Sequence, residues 1–343
     1  MSTRRLSLLF CIGLALSLPC SLRAQHDLTA EELAVSFPPE NIYDGIRISR
    51  QECGRLKLAV WVEHRHGSEC IRYYPGGEIQ GAPRAVFFFH GDVLDGRVPL
   101  ASASANNSVA AKLKEARNLS GANGVPFVLV ARPGTFGSSG LHTERRLPKE
   151  FYSLNAAVDA IKAKYGIGEI ILSGQSGGAT AVGALLTLGR TDVSCAVATS
   201  GGYDVMGRAK YIFHTRGKGR PGCDTTLHCS PYNVIDFTSR VAANPTRRIF
   251  IIGDPLDSNT PFGFQKGFAD KLRTAGHNVV LVEAKGEGPE HHRLAHMATR
   301  TAGWCNAGLP SEDIAEKIRA GEYALYDARR RKADSGASGE PKD

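Results

Sequence analysis

The 343-residue sequence lacks three features that would point to a membrane, a nucleic acid or a repeated architecture. Beyond residue 18, no apolar run approaches the roughly 20 residues that a membrane-spanning helix needs. No block of lysine and arginine interleaved with aromatic residues occurs before positions 329–332, so the net charge of +8 does not indicate a nucleic-acid-binding face. No internal repeat or linker divides the chain, which predicts one large domain.

The first 24 residues have the pattern of an export signal. Arg4 and Arg5 precede an apolar run over residues 6–18, and Ala24 offers the small residue of a cleavage position. An uncleaved anchor and a lipid-modified Cys20 are the alternatives, and the proline directly before Cys20 disfavours the second. We therefore predict a signal peptide over residues 1–24 and a secreted or periplasmic mature protein.

Cysteine usage after the signal agrees with export. An even number of cysteines in an exported chain indicates up to three disulfides, with buried free thiols as the alternative. The sequence alone does not fix the pairing. Proximity along the chain favours Cys53–Cys70 and Cys223–Cys229, which leaves Cys195 with Cys305.

Apolar runs alternate with helix-like segments from residue 84 onward. Continuous apolar strands are typical of a sheet that is covered on both faces, and strands separated by helices indicate parallel pairing. The sequence therefore predicts a doubly wound, mostly parallel α/β sheet with helices on both faces. The strand-like runs cover residues 84–91, 126–134, 168–178, 193–202, 247–254 and 278–286, and the helix-like ones cover 108–119, 150–166, 179–189 and 263–276.

The flanking regions differ from this alternation. Segments starting at residues 46, 57 and 70 predict a hairpin or meander before the sheet, and residues 203–246 form a Gly-, Pro- and Cys-rich excursion that predicts an irregular lid or rim loop. A helix is expected from residue 310, and residues 332–343 have the composition of a disordered tail. The predicted domain thus spans residues 25–331.

Ser176 lies in a Gly-x-Ser-x-Gly motif between a predicted strand and a predicted helix. A nucleophilic serine on such a sharp turn projects clear of the sheet, and glycines are needed beside it because a Cβ would collide with neighbouring backbone. The N–H of Gly177 would then point to where an oxyanion forms. A glycine-rich turn that only lets strand and helix pack closely is the alternative.

With this motif, residues 84–305 resemble the α/β-hydrolase family. His90, Gly91 and Asp92 follow the first apolar strand and are similar to the family's His-Gly loop, and this resemblance implies that the backbone N–H of Asp92 is a second oxyanion donor. From residue 230 to His292 the chain looks like the catalytic domains of secreted dienelactone-hydrolase-like and prolyl-oligopeptidase-like enzymes. The resemblance implies a serine nucleophile, an acid and a histidine base, in that chain order.

Two aspartates and two histidines compete for the remaining roles. Asp254 and Asp257 both follow the predicted strand 247–253; the spacing to Pro261 favours Asp257, although it stands one residue further from Gly253 than the family pattern has it. His291 and His292 both follow the last predicted strand. His292 is favoured because Leu294 supplies the apolar residue that related enzymes place after the base, although Arg293 replaces their small residue.

The sequence predicts an exported serine hydrolase that cleaves an ester or related acyl bond of a small-molecule or acyl substrate. No cofactor is expected, and no metal is expected because His64, His66, His292 and His296 lack a Glu-x-x-His arrangement. A serine peptidase of prolyl-oligopeptidase type and a non-catalytic binding protein on a hydrolase scaffold are the alternatives.

Overall fold

The structure, a computed structural model, describes residues 28–95, 98–100 and 107–322. The expected signal peptide and the expected C-terminal tail both lie outside these residues.

An eight-stranded sheet forms the centre of the described fold. Its order is β1-β2-β6-β3-β7-β8-β9-β10, and β4 pairs separately with β5. The strands are β1 (Ala59–His64), β2 (Gly67–Gly76), β3 (Arg84–Phe89), β4 (Leu94–Asp95), β5 (Val98–Pro99), β6 (Phe127–Val130), β7 (Glu169–Gln175), β8 (Val193–Thr199), β9 (Arg248–Gly253) and β10 (Val279–Glu283).

The pairing is parallel from β6 to β10 and antiparallel at the β1–β2–β6 edge. The central strands are buried along almost their whole length; Phe87, Phe89 and Phe250, for example, are fully buried. Apolar residues on both faces of a strand require cover on both sides. Because the strands from β6 to β10 are parallel, their carboxyl ends meet at one edge, where ligands bind in open α/β sheets.

Helices supply that cover. They are α1 (Ala30–Ala34), α2 (Glu40–Asp44), α3 (Arg50–Arg55), α4 (Val109–Asn123), α5 (Pro148–Tyr165), α6 (Gly177–Thr187), α7 (Val205–Arg216), α8 (Phe262–Thr274), α9 (Ala295–Asn306) and α10 (Ser311–Arg319). Helices α4, α9 and α10 pack together against one face, while α5, α6 and α8 cover the other. The predicted doubly wound α/β sheet is confirmed.

Two local predictions differ from the structure. The segment from residue 46 makes one bridge, Ile46 to Gly140, and then enters α3, because Ser49 caps that helix in a capping box with Glu52. The excursion 203–246 contains the regular helix α7 rather than only irregular chain. Helix α9 begins at Ala295, after Arg293, whose backbone is paired with Glu287.

Three disulfides close the structure, with the pairing that proximity along the chain favours. Cys53–Cys70 joins α3 to β2, Cys195–Cys305 joins β8 to α9, and Cys223–Cys229 closes a short loop in the excursion. Such bonds are consistent with an oxidising compartment. Within residues 28–95, 98–100 and 107–322, no helix is both long and apolar enough to cross a membrane.

Candidate active site

Ser176 stands at the carboxyl end of β7, directly before α6. Its backbone has φ 56° and ψ −120°, a strained conformation that residues other than glycine rarely adopt. The flanking glycines permit the turn: a Cβ on Gly174 would lie 2.5 Å from the carbonyl carbon of Gly178, and a Cβ on Gly178 would lie 2.0 Å from the carbonyl oxygen of Phe89. The predicted close approach of the backbone at this motif is therefore present.

His292 brings an imidazole to the serine. Nε2 of His292 lies 2.8 Å from Oγ of Ser176, and Nδ1 lies 2.8 Å from Oδ2 of Asp257. The three side chains come from positions after β7, β9 and β10, which lie at the same edge of the sheet. A hydroxyl, an imidazole and a carboxylate in this linear order can move a proton from the hydroxyl to the ring.

Asp257 is held so that one of its oxygens remains for the histidine. Its side chain is fully buried, and Oδ1 accepts hydrogen bonds from the backbone N–H groups of Asn259 at 2.9 Å and Thr260 at 2.8 Å. Oδ2 faces Nδ1 of His292. The carboxylate is therefore fixed by its own loop before it contacts the ring.

Asp254 and His291, the other two candidates, form a separate pair. Oδ1 of Asp254 accepts from the N–H of Leu256 at 2.8 Å, and Oδ2 accepts from the N–H of Gly286 at 2.7 Å. Nδ1 of His291 lies 3.3 Å from Oδ2 of Asp254. Asp254 thus ties the loop after β9 to the loop after β10.

The side chain of Gln175 and a backbone pairing hold the loop that carries His292. Nε2 of Gln175, the residue before Ser176, donates to the carbonyl oxygen of His292 at 3.1 Å. The backbones of Glu287 and Arg293 pair with each other on either side of the histidines. The histidine is therefore held from both the serine turn and its own loop, a support that no short motif in the sequence signals.

The loop His90-Gly91-Asp92 lies beside the serine, as its resemblance to the oxyanion loop implies. A Cβ on Gly91 would lie 3.3 Å from Cβ of Ser176. A Cβ on Gly177 would lie 2.0 Å from Oδ1 of Asp92, so the start of α6 and this loop are in close contact. The N–H of Gly177, the first residue of α6, belongs to the helix's unsatisfied N-terminal donors.

The side chain of Asp92 has a role that the sequence did not indicate. It contacts three guanidinium groups: Oδ1 lies 2.8 Å from Nη1 of Arg132, while Oδ2 lies 3.1 Å from Nε of Arg145 and also contacts Nη2 of Arg146. Burial alone would raise the pKa of Asp92, but the charges of Arg146, Arg145 and Arg132 hold this pKa well below its ordinary value. The carboxylate is thus ionised.

A second carboxylate completes this arginine cluster, which we define as Asp92, Arg132, Arg145, Arg146 and Glu150. Nη2 of the fully buried Arg132 lies 2.6 Å from Oε1 of Glu150, and Oε2 of Glu150 accepts from the backbone N–H of Arg146 at 2.6 Å. The cluster fixes the loop beside Ser176. Its members are up to 58 residues apart in the chain, which is why no sequence pattern reveals it.

His90 is a neutral structural residue in this region. Its Nε2 lies 3.0 Å from Oγ1 of Thr135, and Nδ1 lies 2.7 Å from the carbonyl oxygen of Gly91. Burial, together with the charges of Arg132 and Lys112, lowers the pKa of His90 to about 3. The ring therefore does not titrate near neutral pH.

Helix α7 reaches from the excursion to the acid and histidine loops. Arg208 donates from Nε to the carbonyl oxygen of Asn259 at 2.8 Å and from Nη2 to Oδ1 of Asn259 at 2.5 Å. Arg216 donates to the carbonyl oxygen of Ser258 at 2.7 Å and pairs with Glu290 at 3.3 Å. Both arginines therefore brace the loop that carries Asp257.

His64, His66, His292 and His296 do not form a metal-binding group. In the part of the chain that the structure describes, no group of three or more His, Cys, Asp or Glu side chains could hold a metal ion. His64 instead contacts Oγ of Ser153 at 2.8 Å, far from the serine turn in sequence.

Comparison with known proteins gives matches in structure only. No protein-family model and no curated protein matches the chain. Est1E from Butyrivibrio proteoclasticus, solved with ferulic acid bound, matches with 14% identity over 73% of this chain and 98% of that protein, at a TM-score of 0.51.

Two longer enzymes match with lower TM-scores. The uncomplexed acylaminoacyl peptidase of Pyrococcus horikoshii matches over 66% of this chain with 15% identity and a TM-score of 0.45. Prolyl oligopeptidase B from Galerina marginata matches over 73% with 15% identity and a TM-score of 0.46. The chain spans 36% of the length of each. The strand order and the match to Est1E together show that this chain has the α/β-hydrolase fold.

Proposed function

We propose that this protein is an exported serine hydrolase that cleaves an ester or a related acyl bond. The observation that carries the proposal is the continuous hydrogen-bonded row from Ser176 through His292 to Asp257, with 2.8 Å at each step. The strained backbone at Ser176 supports it, because such strain is concentrated at functional sites. The three disulfides support the export part of the proposal.

The proposed reaction begins with attack by Oγ of Ser176 on the carbonyl carbon of the substrate. Nε2 of His292 takes the serine proton as the new C–O bond forms, and Asp257 orients the ring and stabilises its charged form. The backbone N–H groups of Gly177 and Asp92 donate to the oxyanion. Collapse of this intermediate breaks the bond to the leaving group, which receives the proton from His292.

The second half of the reaction releases the acyl group. A water molecule gives a proton to Nε2 of His292 and attacks the acyl carbonyl, and the bond to Oγ then breaks as the proton returns to the serine. No cofactor enters this scheme. Peptide cleavage by the same machinery and a binding protein without activity are the competing functions.

Covalent labelling tests the proposal. A fluorophosphonate probe should label the folded protein at Ser176 in peptide mapping, and Ser176→Ala should not be labelled. Labelled protein should hydrolyse neither 4-nitrophenyl hexanoate nor peptide 4-nitroanilides, whereas free protein should hydrolyse the ester. Activity on the peptides alone would favour the peptidase, and absence of both label and activity from folded protein would favour the binding protein.

A further inference from the structure

The arginine cluster beside Ser176 carries more positive than negative charge. Three guanidinium groups, of Arg132, Arg145 and Arg146, contact only two carboxylates, of Asp92 and Glu150. Buried charges are ordinarily paired, because removing an ion from water is costly. The cluster therefore keeps one positive charge without a partner among these five residues.

The uncompensated charge is best located on Arg146. Its side chain is only 9% exposed, and its Nη2 shares Oδ2 of Asp92 with Arg145. Its Nη1 is buried and has no hydrogen-bond acceptor among the residues that the structure describes. A buried N–H donor without an acceptor is unusual in native proteins and costs stability. This nitrogen therefore has an unused donor for an anion.

Arg208 is a second cation whose hydrogen-bond partners carry no charge. Its three hydrogen bonds end on neutral oxygens, two from Asn259 and one, at 3.3 Å, from Oγ1 of Thr225. Burial and then the charge of Arg146 are the largest influences that lower the pKa of Arg208 to about 10, while Asp92 and Asp257 act in the opposite direction. Arg208 thus lies within electrostatic reach of both the arginine cluster and the acid of the proposed triad.

Arg146, through its partner Asp92, and Arg208 are both connected to the serine turn. Oδ1 of Asp92 and Nη1 of Arg132 would contact a Cβ on Gly177, the residue after Ser176. On the other side, a Cβ on Gly202 would lie 3.5 Å from Cδ of Arg208 and 3.7 Å from Oγ1 of Thr180, and Thr180 in turn donates to the carbonyl oxygen of Ser176. Two guanidinium groups that lack a full counter-charge are therefore attached to the surroundings of Ser176, that of Arg146 through Asp92 and that of Arg208 beside Gly202.

We propose that the substrate carries a carboxylate close to its scissile carbonyl, and that Arg146 and Arg208 bind this carboxylate. The inference rests on the proposed hydrolase function. Arginine suits such a role because its planar fork donates two hydrogen bonds to one carboxylate. An anion between the two side chains supplies the acceptor that Nη1 of Arg146 lacks and reduces the repulsion between the two cations.

Matched pairs of chromogenic esters test the inference. The 4-nitrophenyl monoesters of adipic and suberic acids carry an acyl-side carboxylate and are compared with the hexanoate and octanoate esters of equal length. A leaving-group arm compares 4-carboxyphenyl hexanoate with 4-carbamoylphenyl hexanoate. In at least one arm we expect kcat/KM to favour the charged ester by about tenfold to a hundredfold, as for charge-assisted hydrogen bonds.

Variants separate recognition from structural support. Arg146→Gln and Arg208→Gln should each reduce the charged-to-neutral ratio of kcat/KM to near one, mainly through a higher KM for the charged ester. Arg208→Lys should retain part of the preference. Lys210→Met is the matched control, because it removes one positive charge from the exposed side of the same helix, and it should leave the ratio unchanged. A variant that only loosens the acid loop would instead slow both esters alike.

Two results would overturn the carboxylate site while leaving the proposed hydrolase function intact. If Ser176 is labelled and both esters of every pair are hydrolysed equally well, the hydrolase stands and the carboxylate site does not exist. If the glutamine variants remain folded by circular dichroism and lower both members of a pair alike, Arg146 and Arg208 are only structural. Absence of labelling and of all hydrolysis overturns both proposals together.

Discussion

Two aspartate–histidine pairs lie side by side in this site and differ in almost every physical respect. Nδ1 of His292 lies 2.8 Å from a fully buried Asp257, and this ring is 12% exposed. Nδ1 of His291 lies 3.3 Å from Asp254, and this ring is 36% exposed. Consecutive residues of one loop thus meet different carboxylates in different environments.

The two carboxylates also divide their hydrogen bonds differently. Asp254 uses one oxygen for the N–H of Leu256 and the other for the N–H of Gly286, so backbone groups occupy both. Asp257 binds two backbone N–H groups through Oδ1 and keeps Oδ2 for the ring of His292. Asp257 therefore has an oxygen that contacts only the histidine ring, whereas both oxygens of Asp254 bind backbone groups.

Replacing each histidine by alanine in turn gives the largest expected difference between the two pairs. His292→Ala should reduce turnover by about 10⁶, because the serine loses the group that takes its proton. His291→Ala is the matched control and should retain most activity. Steady-state kinetics on 4-nitrophenyl hexanoate, with circular dichroism to establish folding, gives the ranking. The reverse order in two folded variants would make His291 the base.

Asparagine at the acid positions should give the next largest effect. Asp257→Asn should lower turnover by about 10⁴, since the ring of His292 then loses both its orientation and its counter-charge. Asp254→Asn should lower it by less than about tenfold, because Asp254 does not touch His292. Equal losses in kcat would contradict the division of roles between the two carboxylates.

The loss in free energy of unfolding should be larger for Asp254→Asn than for Asp257→Asn, the reverse of their effects on turnover. Asp254→Asn places an amide where the carboxylate accepts two backbone N–H groups, and it should lower the free energy of unfolding by about 1–3 kcal/mol. Asp257→Asn should cost less, because it can retain Oδ1 as an acceptor. Urea denaturation with the disulfides intact measures both values. A more stable Asp254→Asn would show that this pair is not structural.

Glu290, the residue before the two histidines, should give the smallest effect. Burial alone would raise its pKa, but Asn259 and Arg216 together lower this pKa below 4.5. A lowered pKa means that the ionised group stabilises the protein above pH 4.5, and that this contribution is lost as the pH falls through the folded-state value. The ion pair between Glu290 and Arg216 is partly exposed and so contributes little to holding the Asp257 loop, and Glu290→Gln should reduce turnover only about two- to fivefold at neutral pH.

Stability measurements at acidic pH test the ionised state of Glu290. The stability difference between the wild type and Glu290→Gln should shrink as the pH falls from 4.5 through the lowered folded-state pKa of Glu290, because Glu290 is then protonated and as neutral as glutamine. Thermal unfolding midpoints across this range measure the difference. A gap that widens in acid would mean that Glu290 is not paired as an anion with Arg216.

Local sequence patterns could predict the sheet and the serine turn. The apolar runs that end at Gly91, Gly178 and Gly253 determine strands that are buried on both faces, and the glycines around Ser176 are required by contacts of less than 3 Å. The spacing from Asp257 to Pro261 also separated two nearby aspartates, and the structure places Asp257 against His292.

Interactions between distant segments could not be predicted in this way. Arg132, Arg145 and Arg146 meet on Asp92 across more than 35 residues of sequence, and no short pattern encodes such a meeting. Helix α7 was missed for another reason. Its buried residues Val205, Ala209 and Ile212 have helical spacing, but the Gly- and Pro-rich stretch that follows made the whole excursion appear irregular.

The disulfide between Cys195 and Cys305 has a consequence for proteolysis. Its two cysteines enclose α7, the loop of Asp257 and the loop of His292 within one covalently closed segment of the chain. A protease that cuts once in the rim between residues 217 and 222 would therefore leave two pieces joined through sulfur. Such a nicked protein would migrate as a single species in a denaturing gel until a reductant separates the piece that contains Ser176 from the piece that contains Asp257 and His292.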